Sequence, residues 1–256
     1  MTSRPHANSW TSCVARQHSK SSAHTVMVCP MISEADLAAL ALTLKLALVS
    51  TLILLLLGTP LAWWLARTRW RFKFIPEAVV ALPLVLPPTV LGFYLLLALS
   101  PSGFVGGAIE ALGGSPLAFT FSGLVIGSVI YSMPFVVQPL QDAFTAVGQR
   151  PLEVAATLRA SPLDRFFTVA VPLARPGFLT ACVLGFAHTL GEFGVVLMIG
   201  GNIPGETRVA SIAIYDHVEG LDYISAHWLS ATLLVVSFSL LVLVYALNRK
   251  FRVMRL

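Results

Sequence analysis

The chain has 256 residues, of which 56% are hydrophobic and 11% charged, against about 25% charged in an ordinary soluble domain. One soluble core of this size cannot hide so much apolar surface, which excludes a cytosolic globular enzyme and leaves an all-α polytopic membrane protein. The net charge of +5 is no nucleic-acid signature, because the charges flank apolar segments as membrane-topology signals do.

Residues 1–30 are polar and Ser-rich, carry Arg4, Arg16 and Lys20, and lack the apolar run of a signal peptide. They form either a disordered external tail or an upstream extension, with initiation at Met31. The membrane domain is 31–256. Five charge-poor stretches in it predict five spanning helices over about 37–66, 77–99, 119–146, 175–200 and 225–248. Cys13, Cys29 and Cys182 are too few and scattered for a disulfide scaffold or a metal site.

Orientation follows from the basic residues. Arg67, Arg69, Arg71 and Lys73 follow span one. Arg150, Arg159, Arg165 and Arg175 lie between spans three and four, and Arg249, Lys250, Arg252 and Arg255 end the chain. The opposite connections hold only Arg208. The basic side is therefore cytoplasmic, with the N-terminus outside and the C-terminus inside.

In span one, Lys45 sits near the outer interface, where it snorkels or attracts anions, and Trp63 and Trp64 suit the interfacial aromatic belt. In span two, Pro83, Pro87 and Pro88 each remove a backbone donor. They predict a broken segment that either lines a substrate path, with Thr89 supplying a hydroxyl, or is a packing kink. Between spans three and four, Pro151 suits a first helical turn, Glu153 the helix dipole, and Ser161-Pro162 a stop. A short helix of small residues follows from this, running parallel to the membrane. It serves either as an elbow or as a docking surface for a partner. A second helical stretch covers 163–169.

In span four, Glu192 is the one deep charge, at a cost of about 3 kcal/mol on insertion scales. His188 lies four residues earlier, on the same face of a continuous helix. The pair is a gate, a polar tie to a neighbouring span, or a proton relay. The turn-rich run Gly200-Gly201-Asn202-Ile203-Pro204-Gly205 and the following Arg208 meet an external partner or merely close a tight loop. The outer connections carry Glu110, Glu206, Asp216, Glu219 and Asp222 against Arg208, a mouth that repels free anions. His217 and His227 have no ligand spacing for a metal around them.

Glu153-Val154-Ala155, then Arg159, then Pro172 resembles the EAA loop of permease subunits of binding-protein-dependent ABC importers. That pattern is Glu-Ala-Ala, three residues, Gly and a later Leu-Pro. Here Val154 replaces an Ala, Arg159 sits near the expected Gly, and Val171-Pro172 stands where Leu-Pro is usual. The resemblance marks 148–173 as the loop, with Glu153, Val154, Ala155, Ala156, Arg159, Pro162 and Leu163 as its docking residues. Three further segments resemble the molybdate-transporting branch of that family: Leu82-Pro-Leu-Val-Leu-Pro-Pro-Thr-Val-Leu-Gly-Phe-Tyr94, Leu190-Gly-Glu-Phe-Gly194, and Asn202-Ile-Pro-Gly-Glu-Thr-Arg208.

The resemblance implies a type I ABC importer permease fold and alternating access driven by a separate ATPase. The implied partners are two copies of an ATP-binding subunit, a periplasmic or extracellular oxyanion-binding protein, a second copy of this chain, and membrane lipid. The residues themselves make Pro87, Pro88, Thr89, His188 and Glu192 the candidate pathway or gate and Asn202, Pro204 and Arg208 the candidate binding-protein contacts. Sulfate, thiosulfate or tungstate are alternative cargoes, and a stand-alone secondary transporter is the alternative class. The chain is expected to bind no cofactor or metal itself and to have no catalytic residues. All four lysines (Lys20, Lys45, Lys73 and Lys250) follow residues other than Gly, so no phosphate-binding loop is present. ATP and magnesium would then sit on the partner.

Overall fold

The computed structural model describes residues 32–253, so both possibilities for 1–30 and a start at Met31 lie outside the described residues. Helix α1 spans Glu34–Arg67, opened by a capping box in which Ser33 and Asp36 satisfy each other's backbone donors. Span two does not run unbroken. Helix α2 (Phe74–Val85) stops at Leu86, and α3 (Pro88–Leu99) begins after Pro87. Both linking residues have extended ψ values near 136°, as a residue that precedes proline prefers. The short α4 (Phe104–Ala111) turns back after Ser100-Pro101-Ser102-Gly103.

Helix α5 (Phe121–Val147) ends at Gly148, whose φ of 69° suits glycine. The elbow follows as α6 (Arg150–Thr157), α7 (Pro162–Arg165), a π-turn over Phe166–Ala170 and α8 (Val171–Leu173). Helix α9 (Arg175–Leu190) leaves the elbow at 73° to the stretch before it.

The expectation of one helix over 175–200 is corrected here. The chain leaves helical geometry over 191–193 and resumes as α10 (Gly194–Gly200). Gly191 is a weak helix former, and the Glu192 carbonyl is taken by the Ser211 hydroxyl at 2.6 Å. Two further helices complete the described chain, α11 (Ala210–Glu219) and α12 (Tyr223–Val253).

The core is a sandwich of α1, α5 and α9. Leu46, Leu54, Ala62 and Leu65 of α1 meet Val136, Val137, Leu140 and Phe144 of α5 and Ala181 of α9. A smaller core joins the half-helices α3 and α10 to α5 through Leu99, Val195 and Ile199. Helix α11 is capped from a distance. Its Ala210 N–H donates to the Thr43 hydroxyl of α1 at 2.8 Å, which replaces the missing side-chain cap at Val209. Helix α12 packs mainly on α11 and leaves Leu234, Val235 and Phe238 exposed. By length and apolarity, Glu34–Arg67, Pro88–Ala111, Phe121–Val147 and Tyr223–Leu243 can cross a membrane, and the bent pair ending in Arg175–Leu190 makes up to five spans.

Candidate functional site

The two interrupted spans meet at their interruptions. A Cβ on Gly194 would lie 2.8 Å from the Pro88 Cβ and 3.3 Å from the Thr89 nitrogen. A Cβ on Gly92 would lie 2.9 Å from the Met198 Cβ. The backbones of α3 and α10 therefore touch, and only glycine permits that approach. Pro87, Pro88 and Thr89 thus lie against Glu192-Phe193-Gly194, although some hundred residues separate them in the chain. Pro87, Thr89 and Gly191 stay exposed on the surface of the single chain, whereas Glu192 is buried.

Glu192 and His188 both face α5, but not as neighbours on one helix, because α9 ends between them. His188 Nδ1 is 2.9 Å from the Ser132 hydroxyl, and its ring stacks on Phe135 at 3.9 Å. Ser132 also contacts Thr189, which donates to the Gly185 carbonyl. One turn away, the Glu192 carboxyl lies beside Ser128, with neither carboxyl oxygen at full hydrogen-bond geometry to any partner. The sequence signals neither serine, since nothing in the pattern of a span tells a packed hydroxyl from one facing an acid.

The elbow presents a different surface. Leu152 turns inward, while Glu153, Val154, Ala156, Arg159, Pro162 and Leu163 are exposed and Ala155 is half-buried. Leu158, 78% exposed, extends the apolar part of this face formed by Val154 and Leu163; its place in a polar-flanked run hides it in the sequence. Arg159 adopts φ 61°. Its N–H donates to the Ala156 carbonyl and that of Ala160 to Ala155, a Schellman end with Arg where glycine is usual. An arginine thus holds a left-handed turn position that usually falls to glycine. Ser161 caps the next helix by accepting from the Asp164 N–H.

Behind the elbow lies an aromatic hub that the sequence shows only as scattered rings. Trp63 meets Phe144 and Phe166 edge-on at 5.1 and 5.0 Å, and Phe178 joins Phe144 at 5.8 Å.

The loop after α10 is clamped. Asn202 donates to both oxygens of Asp216, and Arg208 pairs with the same carboxylate at 2.9 Å. Thr207 donates to the Gly200 carbonyl and accepts from the Ile203 N–H. Asn202 and Arg208 are engaged within the chain, and Pro204 stands on the exposed tip. Nearby, His217 bridges Asp36 at 2.9 Å and Asp222 at 3.7 Å. The Asp222 carboxyl is held below the usual carboxylate range, chiefly by its hydrogen bond from Ser225. Lys45 lies over the Phe121 ring, 4.6 Å from its centre. Among the described residues no cluster of His, Cys, Asp and Glu could hold a metal ion.

Residues 58–253 match the family described as binding-protein-dependent transport system inner membrane component. The chain is 62% identical over 221 residues to the molybdenum transport system permease protein ModB of Azotobacter vinelandii, covering 86% of this chain and 97% of that one. It is 37% identical over 184 residues to ModB of Haemophilus influenzae, covering 72% and 80%. Its fold matches a chain of a bacterial ABC transporter involved in the import of the acidic polysaccharide alginate, with a TM-score of 0.72 at 19% identity over 85% of this chain and 80% of that one.

Proposed function

The chain belongs to the family of binding-protein-dependent transport system inner membrane components, and from that premise we propose that it is the membrane-spanning subunit of an ATP-driven molybdate importer. The likeness to ModB over 97% of that protein's length carries the cargo. Tetrahedral dianions differ too little for the spans to separate them by physics alone. Energy enters from two copies of a separate ATP-binding subunit, which hold the ATP and magnesium. They dock on the exposed elbow through Glu153, Val154, Ala155, Ala156, Arg159, Pro162 and Leu163, with Leu158 added. The small residues let a partner's groove approach closely, and the exposed apolar side chains supply area to bury.

The path runs between two copies of this chain, along the joined interruptions at Pro87, Pro88, Thr89 and Glu192, with His188 holding the adjacent turn. The exposure of Pro87 and Thr89 on the isolated chain supports this choice. Broken helices with irregular backbone are tolerated in membranes where they line a cavity or are buried in protein. An oxyanion-binding protein docks on the opposite face at the tip carrying Pro204, with Asn202 and Arg208 shaping that tip through Asp216. The acidic outer connections disfavour capture of free anion, so selection rests with that partner. The N-terminus lies outside and the C-terminus in the cytoplasm.

Proteoliposomes containing this chain, its ATP-binding subunit and the external binding protein are expected to accumulate molybdate when ATP is supplied. Accumulation against a gradient by the chain alone would overturn the proposal. Competition by sulfate and tungstate in the same vesicles separates the alternative cargoes. Glu153→Lys combined with Ala155→Asp is expected to abolish co-purification of the ATP-binding subunit, and retained co-purification with normal uptake removes the docking role.

A further inference from the structure

Four basic residues follow span one, and the sequence accounts for them all as one topology signal. The structure separates them. Lys73 pairs with Glu77 one turn away, and Arg71 lies over its neighbour Phe72. Arg69 is exposed. Arg67 alone among the four reaches a distant element. Its Nη2 donates to the Gly148 carbonyl at 2.9 Å, 81 residues away, and its guanidinium lies over the Trp63 ring at 4.6 Å.

The acceptor is significant. Gly148 ends α5 at φ 69°, where glycine has the most freedom. Its carbonyl lies past the last turn of α5, so no helical ladder fixes it. It is the entrance to the elbow, and Arg67 is what holds it. Trp63, under the same guanidinium, touches Phe144 one turn before that entrance and Phe166 at the start of the π-turn near the exit. One terminal turn of α1 thus grips both ends of the elbow. Arg67 is also half-buried, with its Nε enclosed and unpartnered, unlike an arginine that serves only to mark an interface.

We propose that Arg67 is a positioning residue for energy coupling: with Trp63 it clamps the Gly148 hinge to α1, so that a push on the elbow moves α1, α5 and α9 as one body. A planar fork that donates and stacks at once suits this task better than a lysine's compact, strongly hydrated charge. Without the clamp the elbow can swing about Gly148 while the spans stay still, and ATP is then hydrolysed without transport.

This inference rests on the proposed docking of an ATP-binding subunit at the elbow. The test uses the assembled transporter in vesicles, with ATP hydrolysis and molybdate uptake measured together for wild type, Arg67→Met and Arg67→Lys. Wild type that fails to couple the two sinks the proposed function. With wild type coupled, both variants are expected to keep co-purifying with the ATP-binding subunit and to keep hydrolysing ATP. The ATP spent per anion imported is expected to rise at least about threefold in Arg67→Met and less in Arg67→Lys. A ratio unchanged in Arg67→Met overturns the clamp. Should Arg67→Met fail to assemble, hydrogen exchange of the 148–153 amides in Arg67→Lys decides. Exchange at least about threefold faster than wild type supports the clamp, since lysine keeps the charge but not the stacked planar fork, and unchanged exchange overturns it.

Discussion

The chain interrupts its helices in two kinds of place, and the interruptions are stabilised in opposite ways. Inside the elbow, the end of α6 and the start of α7 are closed locally. Arg159 and Ala160 return bonds to α6, and Ser161 caps α7 three residues on. At the paired breaks over 86–87 and 191–193, the local end bonds from Leu86 to Leu82 and from Gly191 to Ala187 are joined by contacts from afar. Gly194 rests on Pro88, and Ser211 takes the Glu192 carbonyl. A locally closed interruption keeps its shape when the rest of the molecule moves, which suits a part that receives a push. A break held by packing changes when its neighbours shift, which suits a gate.

The comparison can be broken most readily at the glycine contact. Gly194→Val forces side-chain atoms into Pro88 and is expected to cost about 3 kcal/mol. The loss should appear as a large drop in the melting temperature of the detergent-solubilised complex, with uptake near background. Wild-type stability would show that the breaks do not depend on each other. Next comes Thr43→Val, which leaves the buried Ala210 N–H without its acceptor. A cost of about 2 kcal/mol should be visible in the same melt and as faster exchange of the first amides of α11. At the elbow the effects should be smaller and confined. Ser161→Ala is expected to cost about 1 kcal/mol, read as faster exchange over 162–165 with little change at Gly194 or Glu192. A global loss instead would erase the distinction between local and distant closure. Smallest is Arg159→Gly, a gain of about 0.5 kcal/mol, once relief of a left-handed non-glycine residue is set against the greater freedom of glycine in the unfolded chain. It should slow local exchange at the end of α6, and it lowers affinity for the ATP-binding subunit only if the guanidinium itself makes contact there.

Much of this was legible in the sequence because lipid leaves few choices. A long apolar run without water must be helical, so α1, α5 and α12 fall within a few residues of their predicted bounds. Pro87-Pro88 announced the first break, since proline acts on its own backbone whatever surrounds it. The elbow was readable for the same reason: Pro151, Glu153 and Ser161-Pro162 act within one turn. The second break was not. Gly191 lowers helix propensity by only about 1 kcal/mol, and spans commonly tolerate that. What tips the balance at 191–193 is a hydroxyl on Ser211 and a proline on α3, both remote in the chain.

The sequence by itself therefore determined the helical class of the spans, the end of the bundle that carries the positive charge, and the place of the elbow, because each depends on solvent transfer or on backbone bonds a few residues long. Only the tertiary structure decided that Pro88 and Gly194 touch, that Glu192 turns toward Ser128 while His188 takes Ser132, and that Arg67 leaves its basic neighbours to hold Gly148. Those pairings depend on how helices separated by tens of residues settle into register, and no local pattern encodes a register between spans whose faces are all apolar.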